Sequence, residues 1–158
     1  MRFVFGVFGC LLAFQLPTSA SAQSVGDWSV SAAQGYEEHI VGLGPGNSFN
    51  ITCDIGASGE NEPKQTRVYV EIAGKSPKPH SYVDIFAVDA VYRLPVDDKG
   101  YINTECRVCE ANLAGLWSKL RKSTAIVVQY QDGSNVSLKT RGAAKALPAK
   151  PCTTGPAR

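Results

Sequence analysis

Histidine is scarce in this chain, and the sites that depend on it find little support. The sequence holds two histidines, His39 and His80, and they stand far apart. A Ser/His/Asp triad needs a positioned histidine, and no Gly-x-Ser-x-Gly motif occurs. A zinc site would need a second half-site beside Cys106-Arg-Val-Cys109, and the sequence offers none. We predict two exposed histidines at loop edges, no metal, no other cofactor and no hydrolytic centre.

The chain also lacks an excess of either charge. Lys and Arg total 16 against 14 for Asp and Glu, a balance that gives no support for nucleic-acid binding. The adjacent pairs Glu37-Glu38 and Asp97-Asp98 point to opposite faces of an extended chain, so we predict turn or surface roles for them. Gly42-x-Gly44-x-Gly46 lacks the following Lys-Ser/Thr helix of a phosphate loop. The small basic loop with Lys75, Lys78 and His80 is expected to be solvated.

Long apolar runs are missing beyond the N-terminus. The stretch from Phe3 to Leu16 spans about 14 residues, short of the ~20 that cross a membrane. It follows Arg2 and precedes Ala20-Ser21-Ala22, which is the pattern of a secretory signal. We therefore predict a signal peptide over 1–22 and a mature chain from Gln23. The protein should be periplasmic or secreted, with no integral membrane segment once the signal and Cys10 are removed.

Four cysteines remain after the signal, and an even count in an exported chain indicates disulfides. Four cysteines allow three connectivities, and the sequence alone does not choose among them. A Cys53–Cys152 bridge closes a loop of ~100 residues and stabilises by about 4–5 kcal/mol in the chain-entropy model, against about 2 kcal/mol for Cys106–Cys109. We favour this pairing, in which the long bridge stabilises the whole fold and the short one constrains the chain only locally.

Alternating apolar residues predict a mainly β domain. Strands are expected near 27–30, 48–55, 66–73, 82–88, 90–94, 101–105, 125–130 and 135–140, and Gly-rich 33–47 as mostly loop. Leu113, Leu116, Trp117 and Leu120 form one apolar stripe, which predicts a helix over about 110–122. The fold class that fits is a compact antiparallel β-sandwich or barrel-like domain with one α-helix. It should occupy 23–147, followed by a loose tail over 148–158 that is tied by Cys152.

The CxxC motif directly ahead of this helix has two interpretations. A helix N-terminus favours a thiolate, so Cys106 and Cys109 are candidates for a thiol–disulfide oxidoreductase. The surrounding pattern lacks the parallel, helix-rich scaffold of thioredoxin-like enzymes. A disulfide that fixes the start of the helix is the alternative that we favour.

Part of the chain resembles a known family. Cys106-x-x-Cys109-Glu-Ala, the Leu-rich helix, the strands 126–130 and 136–138 and Gly142-Ala-Ala-Lys-Ala-Leu147 follow one another as in the invasion-associated locus B family, and Asp27-Trp28-Ser29-Val30 is similar to that family's opening strand. This resemblance implies a β-rich protein of the bacterial envelope, linked in some members to host-cell invasion, with no catalytic residues to transfer.

These observations favour a non-enzymatic envelope protein that binds a partner or supports the envelope or a host interaction. The partner's identity is open, and no nucleic acid is expected. One alternative is the oxidoreductase with Cys106 and Cys109. Another is a periplasmic inhibitor of a cell-wall hydrolase, for which the loops 56–65 and 74–81 are the candidate contact segments.

Overall fold

The computed structural model describes residues 22–59 and 66–152, which fold into two antiparallel β-sheets and one long helix. Most of the predicted signal peptide and the end of the C-terminal tail lie outside these residues. The fold class predicted from the sequence is confirmed. None of the helices in the described part of the chain is long and apolar enough to span a membrane.

The first sheet is a meander of five strands in chain order. They are β1 (Gln23–Val25), β2 (Trp28–Ala33), β3 (Tyr36–Gly42), β4 (Ser48–Asp54) and β5 (Thr66–Glu71). The alternation in β4 places Phe49, Ile51 and Cys53 inward, where each is at most 2% exposed. Each strand pairs antiparallel with the next one along the chain, and such neighbours need no crossover connection.

The second sheet has the order β7-β6-β8-β9. Its strands are β6 (Tyr82–Ala87), β7 (Ala90–Pro95), β8 (Ala125–Tyr130) and β9 (Asn135–Lys139). β8 pairs with β6 rather than with its chain neighbour β7. The long connection from β7 to β8 therefore has to pass β6 and β7, and it carries the helix α1 (Arg107–Leu120), which packs against both strands.

The core lies between the sheets and is closed by α1. The apolar stripe of the helix faces this core as predicted, and each of its four side chains is at most 1% exposed: Leu113, Leu116, Trp117 and Leu120. The helix packs against β7 and β6, and Lys119 Nζ lies 2.5 Å from Asp89 Oδ1 in the turn between these strands. A final short helix, α2 (Ala143–Ala146), follows β9.

Backbone bridges and an ion pair help to connect the two sheets. Ile102 forms β-bridges with Val68 of the first sheet and with Val96, just after β7. At the other side, Asp27 and Arg141 form a two-pronged ion pair, with Arg141 Nε and Nη2 donating at 3.0 and 2.9 Å. This hydrogen-bonded guanidinium lowers the pKa of the Asp27 carboxyl. Trp28 Nε1 adds a bond to the Thr140 carbonyl at 3.2 Å.

Two local predictions of strand and loop were wrong. The expected loop over 33–47 contains β3, whose inward residues include the polar His39, so its alternation is hard to recognise. The expected strand over 101–105 is reduced to the isolated bridges of Ile102. The predicted helix at about 110–122 is confirmed, and its observed bounds are Arg107 and Leu120, with Cys106 as its N-cap.

Candidate binding clefts and the Cys106–Cys109 disulfide

The structure contains two disulfides, Cys53–Cys152 and Cys106–Cys109. This is the pairing that loop length favours. The long bridge joins β4 to the C-terminal segment over a sequence separation of 99, with the two Cα atoms 5.6 Å apart. The Pro148 carbonyl in the same segment accepts hydrogen bonds from Trp117 Nε1 at 3.0 Å and Arg121 Nη1 at 2.7 Å. The first residue of the predicted loose tail is therefore held against α1.

The short disulfide lies at the start of α1, and its two cysteines differ in exposure. Cys106 is the N-cap, and its sulfur accepts a hydrogen bond from the Cys109 backbone N–H at 3.0 Å. Cys106 is exposed, whereas Cys109 is 1% exposed. The helix N-terminus carries a partial positive charge that favours a thiolate, and Glu110 in the first turn opposes this effect. An external thiol therefore has access to Cys106 and not to Cys109.

The segment directly before Cys106 lines a polar cleft of about 710 Å³. We call it the Ile102 cleft, because Ile102 joins the two sheets beside it. The described residues that line it come from the start of β5, from the loop before β6 and from 96–105, and they include Arg67, His80, Asp97, Lys99, Tyr101 and Glu105. Its volume falls within the range of small-molecule sites.

Hydrogen bonds fix the wall of this cleft formed by 97–103. The Asp97 carboxylate accepts the backbone N–H groups of Lys99 and Tyr101, each at 2.8 Å, and Asp97 N–H donates to the Tyr101 carbonyl. Ile102 N–H donates to Val68, and Asn103 N–H donates to Pro95. The predicted turn role of Asp97 is confirmed, and the neighbouring Asp98 is exposed. A wall held in this way offers a fixed surface to a ligand or partner.

Tyr101 and Arg67 line the Ile102 cleft, and each lies near a further aromatic ring outside that lining. The rings of Tyr69 and Tyr101 lie 5.5 Å apart between centroids. The Arg67 guanidinium lies 6.0 Å from the ring centroid of Tyr36 on β3. Protein interfaces are enriched in Tyr and Arg side chains, so this composition suits the binding of a macromolecular partner.

The two histidines have different environments. His80 is exposed, as predicted, and lines the Ile102 cleft. The prediction of an exposed His39 is wrong, because β3 places it in the core at 0% exposure. Glu37 Oε1 lies 2.9 Å from His39 Nε2, and the Ala146 backbone also acts on the buried ring. Burial lowers the pKa of His39, and the Glu37 charge offsets part of this effect.

Sequence reasoning missed the Ile102 cleft as a site. The Asp97-Asp98 pair indicates a turn, but the pairing of Ile102 with Val68 joins residues 34 positions apart and leaves no local signal. Cys106 and Cys109 are joined in a disulfide, and in the ranges 22–59 and 66–152 no three His, Cys, Asp or Glu side chains converge as a metal site requires.

A family model described as YfjT matches residues 26–147. The chain belongs to the YfjT family. The match covers every element from β2 to α2, including both cysteines of the CxxC motif. No curated protein and no solved structure matches the chain. The resemblance to the invasion-associated locus B family stays a prediction, because the matching model names a different family.

Proposed function

We propose that this protein is a non-enzymatic component of the bacterial envelope that binds a protein partner through the Ile102 cleft. The observation that carries the proposal is the cleft itself, with its hydrogen-bonded wall and its Tyr and Arg side chains. Such a wall loses little conformational entropy on binding, because it is already ordered in the free protein.

Export supports this assignment. Two disulfides indicate an oxidising compartment, and the N-terminal pattern predicts removal of 1–22 by signal cleavage. We therefore propose a periplasmic or secreted location, with Gln23 as the first residue of the mature chain. Intact mass spectrometry of the periplasmic fraction tests this step, and a species that retains Met1 to Ala22 would contradict it.

The similarity to invasion-associated proteins supports an envelope role. The elements that carry it follow in the expected order, from the Cys106-x-x-Cys109 motif through α1, β8 and β9 to α2. We propose that the partner is a component of the envelope or of a host surface.

Site-specific photo-crosslinking in the living cell tests the cleft. A photoreactive amino acid replaces Lys99 in the cleft or, as a matched control, the exposed Lys139 on the distant edge strand β9. We expect a discrete adduct from position 99 and none from position 139. Equal adducts at both positions, or no adduct at position 99, would overturn the proposal. A cell-wall hydrolase in the adduct would assign the protein as an inhibitor of that enzyme.

The exposure of Cys106 favours a second candidate function, thiol–disulfide exchange. In that reaction an external thiolate attacks the Cys106 sulfur, the S–S bond breaks, and Cys109 leaves as a thiolate that takes up a proton. Reduction of insulin by the protein in the presence of dithiothreitol tests this candidate. Sustained turnover that disappears in Cys106→Ser would establish it, whereas a rate equal to dithiothreitol alone would exclude it.

A further inference from the structure

A second cleft, of about 510 Å³, lies between the two sheets on the other side of the 76–81 loop. We call it the Tyr130 cleft. His80 lines the Ile102 cleft, whereas Lys78 and Ser81 line the Tyr130 cleft, so this loop separates the two. The apolar part of the Tyr130 cleft is formed by Ile72 and Tyr130, which are 6% and 8% exposed.

Tyr130 holds the two sheets together at this cleft. Its hydroxyl lies 3.0 Å from the Val70 carbonyl and 2.8 Å from the Lys75 carbonyl, which are the acceptors for its single proton. Burial raises the pKa of Tyr130, so that the phenol stays a donor at neutral pH. The end of β8 is thereby fixed against β5 and the turn that follows β5.

Backbone bonds fix both walls of the Tyr130 cleft. On one side, Ile72 and Lys75 exchange two hydrogen bonds at 3.0 Å, and Ser81 Oγ donates to the Lys78 carbonyl at 2.6 Å. On the other side, Tyr130 N–H donates to the Ser134 carbonyl at 2.8 Å. The cleft is therefore formed before any ligand arrives, as is usual for small-molecule sites.

The charges in this cleft are unbalanced. Lys75 and Lys78 are exposed, and neither forms an ion pair with any described residue. The one carboxylate of the lining, Asp132, already accepts the Ser134 backbone N–H at 3.0 Å. That bond, followed by the Ser134 hydroxyl, lowers the pKa of Asp132. The Lys78 charge contributes to this lowering, so the cleft holds two ammonium groups against one carboxylate, a net charge of +1 that favours an anion.

We propose that the Tyr130 cleft binds a small acidic sugar, with its carboxylate or phosphate placed between Lys75 and Lys78. Lysine is an effective point charge for such groups. The hydroxyl and amide groups of Ser81, Gln131 and Ser134 line the same cleft and suit the hydroxyls of a sugar, while Ile72 and Tyr130 face its apolar surface. This inference goes beyond the proposed function, because it concerns another cleft and a small ligand.

Nuclear magnetic resonance titration of the disulfide-bonded protein tests the site. The probes are D-gluconate, D-glucose 6-phosphate and, as the neutral control, D-glucose. We expect shifts of the Ser76, Ser81, Gln131 and Ser134 amides with one or both acidic probes and none with glucose. Binding of gluconate alone or of the phosphate alone would identify the acidic group and support the proposal. Equal shifts with all three probes, or no shift with either acid, would overturn it.

Matched variants separate this site from general charge attraction. The double variant Lys75→Gln, Lys78→Gln should weaken binding of the acidic probe by about tenfold, the loss expected for two charge-assisted contacts at an exposed site. The control Lys139→Gln, Lys145→Gln removes the same charge elsewhere on the surface and should leave the affinity unchanged. Equal weakening in both would contradict the proposal. Unchanged thermal melting of each variant shows that the fold is intact.

Discussion

At the scale of single residues, His39 makes the stability of this protein depend on pH. It is fully buried in β3, and this burial lowers its pKa. An unfolded histidine titrates near 6.5. Below about pH 6.5 the histidine of the unfolded chain therefore binds a proton, whereas the buried His39 of the native protein does not. As the pH decreases in this range, the free energy of unfolding falls by up to about 1.4 kcal/mol per pH unit. This fall ends at the lower native pKa.

We expect the variant His39→Leu to lose this slope between about pH 6.5 and pH 5. Urea unfolding at a series of pH values measures it. The exposed His80, replaced by Asn, is the control and should leave the wild-type slope in place. An unchanged slope in His39→Leu would mean that another group causes the pH dependence.

At the scale of elements, the joint between the β1–β2 turn and the 140–142 turn depends on a glycine. Gly26 has φ +67°, and a Cβ there would overlap the Arg141 carbonyl oxygen, to which Asp27 N–H donates a hydrogen bond. Gly44 has nearly the same φ, +66°, but a Cβ at this position would have no atom within 4 Å. Alanine at Gly44 therefore introduces backbone strain alone, whereas alanine at Gly26 introduces both backbone strain and steric overlap.

We expect Gly44→Ala to cost about 1–2 kcal/mol, because a residue with a Cβ is strained in the left-handed conformation. Gly26→Ala should cost clearly more, because the Asp27–Arg141 joint must also shift. Denaturant unfolding of both variants compares them directly. Equal decreases in the unfolding free energy of the two variants would show that the Asp27–Arg141 joint shifts without a measurable loss of stability.

The helix α1 is held by its core-facing side chains more than by the disulfide at its start. Trp117 is 1% exposed and donates to Pro148, so Trp117→Ala should cost about 3–5 kcal/mol. That is a large share of the roughly 5–15 kcal/mol stability of an ordinary domain. The double variant Cys106→Ser, Cys109→Ser opens a short loop and should cost about 2 kcal/mol. Unfolding free energies in which the double variant is the less stable of the two would contradict this ranking.

At the scale of the whole molecule, the sequence predicts those elements whose inward residues are all apolar. Phe49, Ile51 and Cys53 alternate cleanly in β4, and the Leu113–Leu120 stripe identifies α1. β3 escaped prediction because His39 occupies an inward position and Ile40 an outward one. Local patterns describe which face of an element is apolar, and a polar residue in the core removes that information.

The candidate sites could be predicted less well than the fold. Cysteine positions predict a disulfide framework, since compartment and even count restrict the choices. Both clefts depend on contacts between distant segments, namely Ile102 with Val68 and the Tyr130 hydroxyl with Val70. No local pattern encodes such contacts, and the order β7-β6-β8-β9 that creates them is equally invisible in the strands themselves.

The reduction potential of the Cys106–Cys109 disulfide tests most directly whether this protein is a binding protein or an enzyme. It is measured by equilibration of the folded protein with thiol–disulfide buffers of defined potential, followed by quantification of the free thiols. A structural bond that clasps the start of α1 has a potential below about −300 mV, which is the result that we expect. A potential between about −120 and −270 mV, the range of catalytic dithiols, would contradict the account and identify an oxidoreductase.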